Sequence, residues 1–323
     1  MPAPPKKREK PGLKSVHDLR EQRIEGRFAR PTEKLWVGAG VLLALILGTY
    51  WYFASRKLEN QKGDLLAKRK AVVVTLGAEW YPLRDRIEKL VIAESGAFQG
   101  DFVDPTARTL DFTHDPSIYL RLRAAEAKDA KSVRDAAQAS LRDGFVGCLV
   151  VAPNPAAARG EVDAGAFAEN PWNLRQAYQS TRILTDEWEQ EVKESGDDLR
   201  LRVFQQQYDK AVDKEIPLAA RIVKQAKYFI MVLDEDADAA RPYADGGPMT
   251  SEALQAVQHA ARVVVANLQG DGVMLRLRRE PAAGFRFAGE SAPSDPETLL
   301  AMQRQVNNCQ LANEVKAAVA EKK

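Results

Sequence analysis

The strongest pattern in this chain is an uninterrupted apolar run near its start. Residues 35–54, LWVGAGVLLALILGTYWYFA, contain no charged side chain. A helix of this length spans about 30 Å, which matches the hydrocarbon core of a bilayer. The sequence therefore predicts a transmembrane helix over 35–54. Its anchoring side chains are Leu35, Trp36, Leu42, Leu45, Ile46, Tyr50, Trp51 and Tyr52.

Aromatic residues at both ends of the run favour a membrane span over two alternatives. Trp36 lies at one end and residues 50–52 lie at the other, and such rings prefer the headgroup region. The first alternative is a core helix of a soluble protein, which seldom runs this far without a charge. The second is a cleaved signal peptide, but the run starts late and residues 55–57 lack a small-x-small cleavage pattern. We expect an uncleaved anchor.

The segments on either side of the run are both basic. Residues 1–34 contain ten Lys/Arg and five Asp/Glu, whereas residues 55–70 contain six and two. Because the more basic flank usually stays in the cytoplasm, we predict a cytoplasmic N-terminus and a periplasmic C-terminal domain. The richness in Ala, Arg, Asp and Val fits a bacterial source, so the expected location is the bacterial inner membrane, crossed once.

Net charge narrows the set of partners. Residues 1–34 carry a net charge of +5 and residues 55–70 a net charge of +4. Because the whole chain carries +2, residues 71–323 must sum to −7. Basic residues beside an apolar run suit membrane lipid, in particular anionic headgroups. No aromatic and basic interleaving accompanies them, and the acidic remainder argues against nucleic acid as a partner.

Composition and periodicity divide the rest of the chain into three segments. Residues 1–34 are predicted to be a basic, largely disordered cytoplasmic tail, with a short amphipathic helix over 16–30 as the alternative. Residues 55–95 favour a helical stalk or connector. Residues 96–323 are long enough for a soluble α+β domain.

Alternation of apolar and polar residues predicts the first strands of this domain. Residues 118–123 suit a strand with one covered face. A helix is expected over 125–142, and the apolar run 145–151 predicts a buried strand. Together these elements predict a strand–helix–strand unit, whose crossover should be right-handed if both strands lie in one sheet. A further short strand is expected over 109–112.

The second half predicts a long helical hairpin at about 172–226, followed by a strand-rich end. Its two helices cover about 172–194 and 198–226, with a kink at Pro217 because proline cannot donate the helical hydrogen bond. The remaining expected elements are strands over 227–233, 273–279 and 284–288, a helix from Thr250 or Ser251 to Leu268, and a last helix over 295–319. The predicted fold class is a single-pass membrane protein with an extracytoplasmic α+β domain of βαβ units, a small sheet and this hairpin.

Side chains suited to chemistry are few and scattered. His17, His114 and His259 are far apart in sequence, and we interpret them as surface or internally hydrogen-bonded residues. Cys148 and Cys309 lack metal-ligand spacing and lie on predicted apolar faces, where cysteine acts as a small hydrophobe. In a periplasmic domain, a disulfide between these two cysteines is the alternative.

The acidic run 234–238, DEDAD, is the one candidate cation site. Carboxylates at alternate positions are typical of the start of a calcium loop, but Ala239 stands where that loop needs glycine. We therefore favour a solvated acidic loop. Because the sequence also lacks a phosphate-binding loop and a nucleophile elbow, we predict no metal, no cofactor and no catalytic residue.

An anchor and an α+β domain without a chemical motif favour a non-enzymatic function. We predict a membrane-anchored scaffold or assembly subunit of a bacterial envelope complex, which binds protein partners as a homo- or hetero-oligomer. One alternative is an extracytoplasmic small-ligand sensor that signals through a separate effector. Another is an enzyme whose site is assembled from scattered Asp, Glu and Arg residues, which analogy between folds does not decide.

Overall fold

A computed structural model of the chain describes residues 33–150, 170–236, 250–270, 272–281 and 295–320. The chain divides into two compact units, Met1–Gln61 and Lys62–Lys323. Helix α1, Glu33–Val72, begins in the first unit and continues into the second. The predicted tail, except for its last two residues, lies outside the described residues, as does His17.

The chain between residues 55 and 95 is helical, as the sequence predicts. A π-helical turn, Val73–Gly77, joins α1 to helix α2, Ala78–Ser95. Pro82 lies inside α2, so it does not open a separate helix. The wider turn precedes this proline, whose missing N–H would otherwise interrupt a regular hydrogen-bond ladder.

The second unit is built on one mixed sheet. The strands are β1 Phe102–Val103, β2 Ser117–Arg123, β3 Trp172–Asn173, β4 Tyr228–Asp234, β5 Ala261–Asn267 and β6 Gly272–Arg279. Their spatial order is β1-β6-β5-β4-β2-β3, in which β2 pairs in parallel with β3 and β4 while the other neighbours are antiparallel.

Helices cover both faces of this sheet. The helices after α2 are α3 Ala130–Ala139, α4 Gly144–Val150, α5 Leu174–Ser180, α6 Asp186–Lys193, α7 Asp198–Lys210, α8 Ile216–Gln225, α9 Ser251–Leu254 and α10 Pro296–Ala320. One face carries α4 and α10, which pack against each other and against the apolar side chains of β2, β4, β5 and β6. On the other face, α2 and α3 contact each other, α3 and α5 contact β2, and α8 packs on α5.

The prediction of a strand at 118–123 is confirmed, but the prediction of one covered face is wrong. All seven residues of β2 are buried. A strand between two parallel neighbours has helices on both faces, so both sets of its side chains enter the interior. Arg121 and Arg123 alternate with leucines in the sequence, yet they are buried as well.

The strand predicted over 145–151 is wrong, because this run forms helix α4. Its buried residues Phe145, Val146, Leu149 and Val150 recur at helical spacing, and a short apolar run does not by itself separate strand from helix. The second strand of the βαβ unit is instead β3, which pairs in parallel with β2. The preceding helix is also shorter than predicted, ending at Ala139.

The helical hairpin is more broken than predicted. Its first helix is replaced by β3, α5, a 3-10 turn at Arg182–Leu184, and α6. Asn173 and Thr185 cap α5 and α6 with their side chains, which starts a new helix at each position. In the second half, a π-helical turn at Ala211–Glu215 interrupts the helix just before Pro217, where the kink was expected.

The helix predicted from Thr250 or Ser251 to Leu268 is also wrong. Helix α9 ends at Leu254, and the β-branched run within β5 pairs with β4. Residues 109–112 are not a strand, since a 3-10 turn over Pro105–Thr109 occupies this region and the nearby strand is β1. The predictions of β4, β6 and α10 are confirmed. The strand expected over 284–288 lies outside the described residues.

Candidate functional site

The apolar part of α1 exposes its side chains along its whole length. Trp36, Leu45 and Trp51 are 69%, 61% and 73% exposed, and no part of the most apolar 18-residue window of this helix is buried. It is the one helix in the described chain that is long and apolar enough to cross a membrane, judged by length and composition. At its end, the guanidinium of Arg56 lies 4.8 Å from the ring centroid of Tyr52.

Beyond residue 61, one face of the same helix becomes buried. The buried positions Lys62, Leu65 and Arg69 in α1 and Leu76 in the π-helical turn fall three, four and seven residues apart, which is the spacing of one helical stripe. Two of the four are basic. Because buried cations require partners, this stripe should contact the rest of the domain through hydrogen bonds as well as through apolar side chains.

Both basic residues bind backbone carbonyls around α6. Arg69 donates from Nε to Ile183 at 2.8 Å, and from Nη2 to Leu184 and Thr185 at 2.9 and 3.0 Å. Lys62 donates from Nζ to the carbonyl of Lys193, the last residue of α6, at 3.1 Å. The end of α1 is thus fastened at both ends of α6. We call these two residues and their carbonyl partners the α1 clamp.

A second buried polar group lies at the carboxyl ends of β2 and β4. Arg121 donates from Nε and Nη2 to the two carboxylate oxygens of Asp234, at 2.9 and 2.7 Å. Its Nη1 donates to Asp143 at 3.0 Å and to Asn308 at 2.6 Å. His259 and Ser251 complete the shell of Asp234, with contacts of 2.9 and 2.5 Å. We call these six residues the Arg121 cluster.

Charge pairing outweighs burial in this cluster. Burial alone would raise the pKa of Asp234, but the adjacent Arg121 charge and the hydrogen bonds from His259 and Arg121 hold this pKa well below its ordinary value. Burial likewise opposes the charge of Arg121, whereas Asp234 and Asp143 raise its pKa. Both groups therefore remain ionised, and each charge is neutralised inside the protein.

The cluster contains Ser, His and Asp, but it does not have the geometry of a catalytic triad. Asp234 contacts both Ser251 and His259, so the carboxylate stands between the two other groups. In a triad the histidine must reach the serine oxygen to take its proton. The remaining ring nitrogen of His259 contacts the carbonyl of Val257 at 3.0 Å. The arrangement joins β2, β4, α9 and α10 rather than presenting a nucleophile.

Sequence reasoning missed this cluster because its members come from distant segments. The available signal was the alternation of Arg121 and Arg123 with apolar residues in a strand, since a buried arginine requires a carboxylate. His259, expected on a helix, instead lies in the segment before β5 and is hydrogen-bonded internally. His114 is exposed and contacts Asp111 at 2.9 Å.

The favoured interpretation of 234–238 as a solvated loop is wrong for Asp234, which is fully buried at the end of β4. Glu235 is partly buried and contacts Arg262 and Arg278. Asp236 lies in an exposed loop, as expected, and accepts two hydrogen bonds from Arg123. These carboxylates are used as partners of arginines on neighbouring strands. The last two residues of the run lie outside the described part of the chain.

Cys148 and Cys309 lie together between α4 and α10. The structure joins them in a disulfide with a Cα–Cα distance of 5.1 Å, across 161 residues of sequence. Gln305 Nε2 lies 3.2 Å from the sulfur of Cys309. Because α4 and α10 form the layer on one face of the sheet, this bond would tie the C-terminal helix to the rest of the domain.

Among the residues that the structure describes, no group of three or more His, Cys, Asp or Glu side chains is placed to hold a metal ion. The side chains suited to function are therefore those of apolar α1, the α1 clamp and the Arg121 cluster. No family model, curated protein or solved structure matches this chain.

Proposed function

We propose that this chain is a membrane-anchored, non-enzymatic scaffold or assembly subunit of a bacterial envelope complex. In this proposal residues 35–54 cross the inner membrane once, the N-terminus is cytoplasmic, and the domain that follows binds protein partners in the periplasm. The observation that carries it is the exposure of the apolar side chains of α1 over residues 36–54. Exposure of a contiguous apolar surface of this length to water is unfavourable by a large free energy, whereas its transfer into lipid is favourable.

The α1 clamp supports a scaffold function in particular. A flexible tether would need no buried contacts, but Lys62 and Arg69 hold the end of α1 against carbonyls of the domain. Residues 62–72 are thus part of the folded domain, which suits an assembly subunit that presents preformed binding faces to its partners.

Exposed apolar side chains supply surfaces for protein partners. On α7, Leu199 and Val203 are 74% and 46% exposed and lie four residues apart on the same face. Leu141 and Leu300 are exposed elsewhere on the domain. Interfaces commonly bury such residues, so the homo- or hetero-oligomer expected from the sequence would be built on these positions.

The anchor is tested by fractionation. We expect the full chain to remain in the pellet after alkaline carbonate treatment and to enter solution only with detergent. Leu45→Arg places a charge at the centre of the span and should reduce stable insertion, because a central arginine costs about 2.5–3.5 kcal/mol on insertion scales. Leu199→Arg is the matched control and should leave membrane retention unchanged. Recovery of the unaltered chain in the aqueous fraction would exclude an anchor.

Sidedness and partners need separate measurements. A tag on the last residue should be protected from protease in sealed inverted inner-membrane vesicles. Crosslinking in intact cells, followed by detergent extraction, should recover complexes that include a second polypeptide or a second copy. A monomer without crosslinked partners would overturn the scaffold proposal while leaving the anchor in place.

The disulfide supports the placement of the domain outside the cytoplasm, because such bonds persist in oxidising compartments. We expect Cys148 and Cys309 to resist alkylation in cells until a reductant is added. Labelling of both thiols without reductant would argue for a cytoplasmic domain.

The second candidate function is an extracytoplasmic small-ligand sensor. It is favoured by an open cavity of about 580 Å³ at the carboxyl ends of β2 and β4, whose lining includes Arg121 and Asn308.

A further inference from the structure

Helix α10 carries two stripes of side chains that face different parts of the domain. The first stripe is buried, and it consists of Asn307, Asn308, Leu311, Ala312 and Val315. Its apolar members belong to the core that covers one face of the sheet. The second stripe is Gln305, Cys309 and Lys316, which are four and seven residues apart and so lie on one side of the helix.

The second stripe meets α4 at a single residue. Cys309 is bonded to Cys148, Gln305 Nε2 lies 3.6 Å from Cys148 Sγ, and Lys316 Nζ donates to the carbonyl of Cys148 at 2.6 Å. Cys148 is thus the common partner of this side of α10. The disulfide is the covalent part of that contact, and the hydrogen bond from Lys316 is a noncovalent part that does not depend on it.

The disulfide borders a groove on the surface of α10. The groove has a volume of about 540 Å³, and its described lining runs along α10 from Gln305 to Ala317 with Cys309 among the lining residues. Cys148 and Cys309 are both only partly buried. Because the rate of thiol–disulfide exchange depends on access to the sulfur that is attacked, this groove provides a path by which an external thiolate reaches Cys309.

Gln305 is placed to assist the exchange. Its Nε2 lies 3.2 Å from Cys309 Sγ as well as 3.6 Å from Cys148 Sγ. The amide nitrogen is a hydrogen-bond donor, and donation to a charged acceptor is stronger than donation to a neutral one. Gln305 should therefore stabilise the thiolate that forms when the bond breaks. Since Gln305 is itself exposed, it leaves the sulfurs accessible.

The bond holds a helix that is otherwise attached by noncovalent contacts. It joins residues 161 positions apart, and in the chain-entropy model a cross-link that closes a long loop restrains the chain most. Asn308, the neighbour of Cys309, accepts from Arg121 at 2.6 Å and donates to Gln255 at 3.0 Å. Separation of α10 from the sheet would expose its buried stripe and remove a partner of Arg121.

We propose that the Cys148–Cys309 disulfide is a redox switch for the docking of α10, opened by an external dithiol that enters through the groove. In the oxidised protein α10 is fixed on the sheet. In the reduced protein α10 opens locally while the sheet remains folded, since a helix at one surface can unfold as a separate unit. The switch concerns the fold of the domain, so it rests neither on the membrane anchor nor on protein partners.

The reaction is a two-electron exchange. A thiolate of the dithiol attacks Cys309 Sγ and forms a mixed disulfide, while the bond to Cys148 breaks and Cys148 leaves as a thiolate that takes a proton from water. The second thiol of the reagent loses its proton and attacks the reagent sulfur of the mixed disulfide, which releases Cys309. The protein gains two thiols, and the dithiol is oxidised to a disulfide. Oxidation of the protein is the reverse reaction.

The test uses the full chain in detergent, dithiothreitol as the dithiol and no denaturant. Alkylation and mass measurement count the thiols, and hydrogen exchange follows α10 and β4. We expect complete reduction, amide exchange over residues 296–320 at least tenfold faster, and a change below twofold in β4. The Tm should fall by about 5–15 °C, because the long loop is no longer closed.

Variants separate the bond from its surroundings. Replacing both cysteines by serine, Cys148→Ser with Cys309→Ser, should give fast exchange in α10 with or without dithiothreitol. Gln305→Met keeps the length of the side chain but removes the donor, so the bond should open at least threefold more slowly at an unchanged oxidised Tm. Gln310→Met is the matched control, because Gln310 lines the same groove but donates to Glu314 at 2.9 Å. It should open at the parent rate.

The proposal is overturned if the bond resists dithiothreitol until a denaturant is added, or if reduction leaves exchange in α10 unchanged. Equal acceleration in β4 would also overturn it, since the whole domain would then unfold. Free thiols in protein purified under oxidising conditions would exclude the bond itself. Opening of Gln305→Met at or above the parent rate would overturn the role of Gln305. Membrane retention and crosslinking are measured separately, so the scaffold proposal stands or fails independently of these results.

Discussion

Arg121 and Asp234 form a two-point ion pair across neighbouring parallel strands, although they are not opposite each other in the register. Arg121 faces Val232 in the pairing of β2 with β4, and Asp234 faces Arg123. The Arg121 side chain reaches diagonally along the sheet face to place Nε and Nη2 on the two carboxylate oxygens. Burial of both side chains makes this pair sensitive to the loss of either member.

Replacing the carboxylate of this pair should be strongly destabilising. Asp234→Asn leaves a buried guanidinium with a reduced counter-charge, for which the expected loss in unfolding free energy is about 3–5 kcal/mol. Asp236→Asn is the matched control, because Asp236 also binds an arginine but its side chain is 48% exposed. We expect a loss below about 1 kcal/mol for this control. Urea unfolding in detergent measures the unfolding free energy of both variants. Equal losses would contradict the conclusion that burial makes the Arg121–Asp234 pair the more sensitive of the two.

The same pair predicts how stability depends on pH. The pKa of Asp234 is lower in the folded protein than its ordinary value of about 3.9. Below that value the unfolded chain binds more protons than the folded one, so stability falls as pH falls through the folded-state pKa. The contribution is complete above about pH 5. Unfolding free energies measured between pH 2.5 and 7 should decline more steeply in the parent than in Asp234→Asn.

Glu88 should make stability depend on pH in the opposite direction. Burial raises the pKa of this carboxyl, which accepts a hydrogen bond from Tyr178 at 2.9 Å. Its protonation therefore favours the folded state, and its contribution is lost as pH rises through the raised pKa. Glu88→Gln should remove this loss above about pH 4.3, while leaving the more acidic decline unchanged. A decline in acid that depended on Glu88 would contradict the assignment to Asp234.

Loss of Arg69 should weaken the attachment of the end of α1 to the segments around α6. Arg69→Gln breaks the ion pair with Glu189 and removes most of the donors to the carbonyls of Ile183 and Thr185. The Leu184 carbonyl also loses Arg69 but keeps the hydroxyl of Tyr81 as a donor. Since buried carbonyls without donors are costly, we expect a loss of about 2–3 kcal/mol and faster amide exchange over residues 62–72. Lys68→Gln, an exposed neighbour, should change neither. Unaltered exchange in Arg69→Gln would show that the apolar side chains alone hold this part of α1.

Two glycines on α4 should respond differently to alanine. A Cβ on Gly144 would lie 2.3 Å from Gln305 Oε1 and 3.3 Å from Asn308 Cβ, both on α10, whereas a Cβ on Gly147 would meet nothing within 4 Å. Gly147→Ala should therefore stabilise the protein by about 0.5–1 kcal/mol through helix propensity. Gly144→Ala should gain less, because the side chain of Gln305 must rotate away and the contact with Asn308 is tight. Thermal unfolding compares them, and equal gains would contradict close approach at Gly144.

Local pattern predicted the elements whose period or composition is unambiguous. The apolar run of α1, the strands β4 and β6 and the last helix α10 were all evident from the sequence. Two of the failures, at residues 145–151 and in the segment of β5, fall on short apolar runs. Five to seven apolar residues suit either a strand or a buried helix, and only the neighbouring elements select between them.

The candidate sites were less accessible to sequence reasoning than the fold. Arg121, Asp143, Asp234, His259 and Asn308 are spread over nearly 190 positions, and none has a partner within a recognisable spacing. The arginines of β2 were visible as polar residues in a strand, but they suggested a solvent-facing side. Burial of both faces, which depends on the helices packed there, turned these arginines into internal ion-pair partners.

The sequence alone determined that one helix is apolar enough for a bilayer and that a mixed domain follows it, because helix length and hydropathy are local properties. Only the tertiary structure decided which charges are buried, which carbonyls receive Lys62 and Arg69, and where a crevice forms. Those features arise when the sheet brings the ends of β2 and β4 together and the helices close over both faces. The free energy of a buried charge depends on partners that lie far away in the chain.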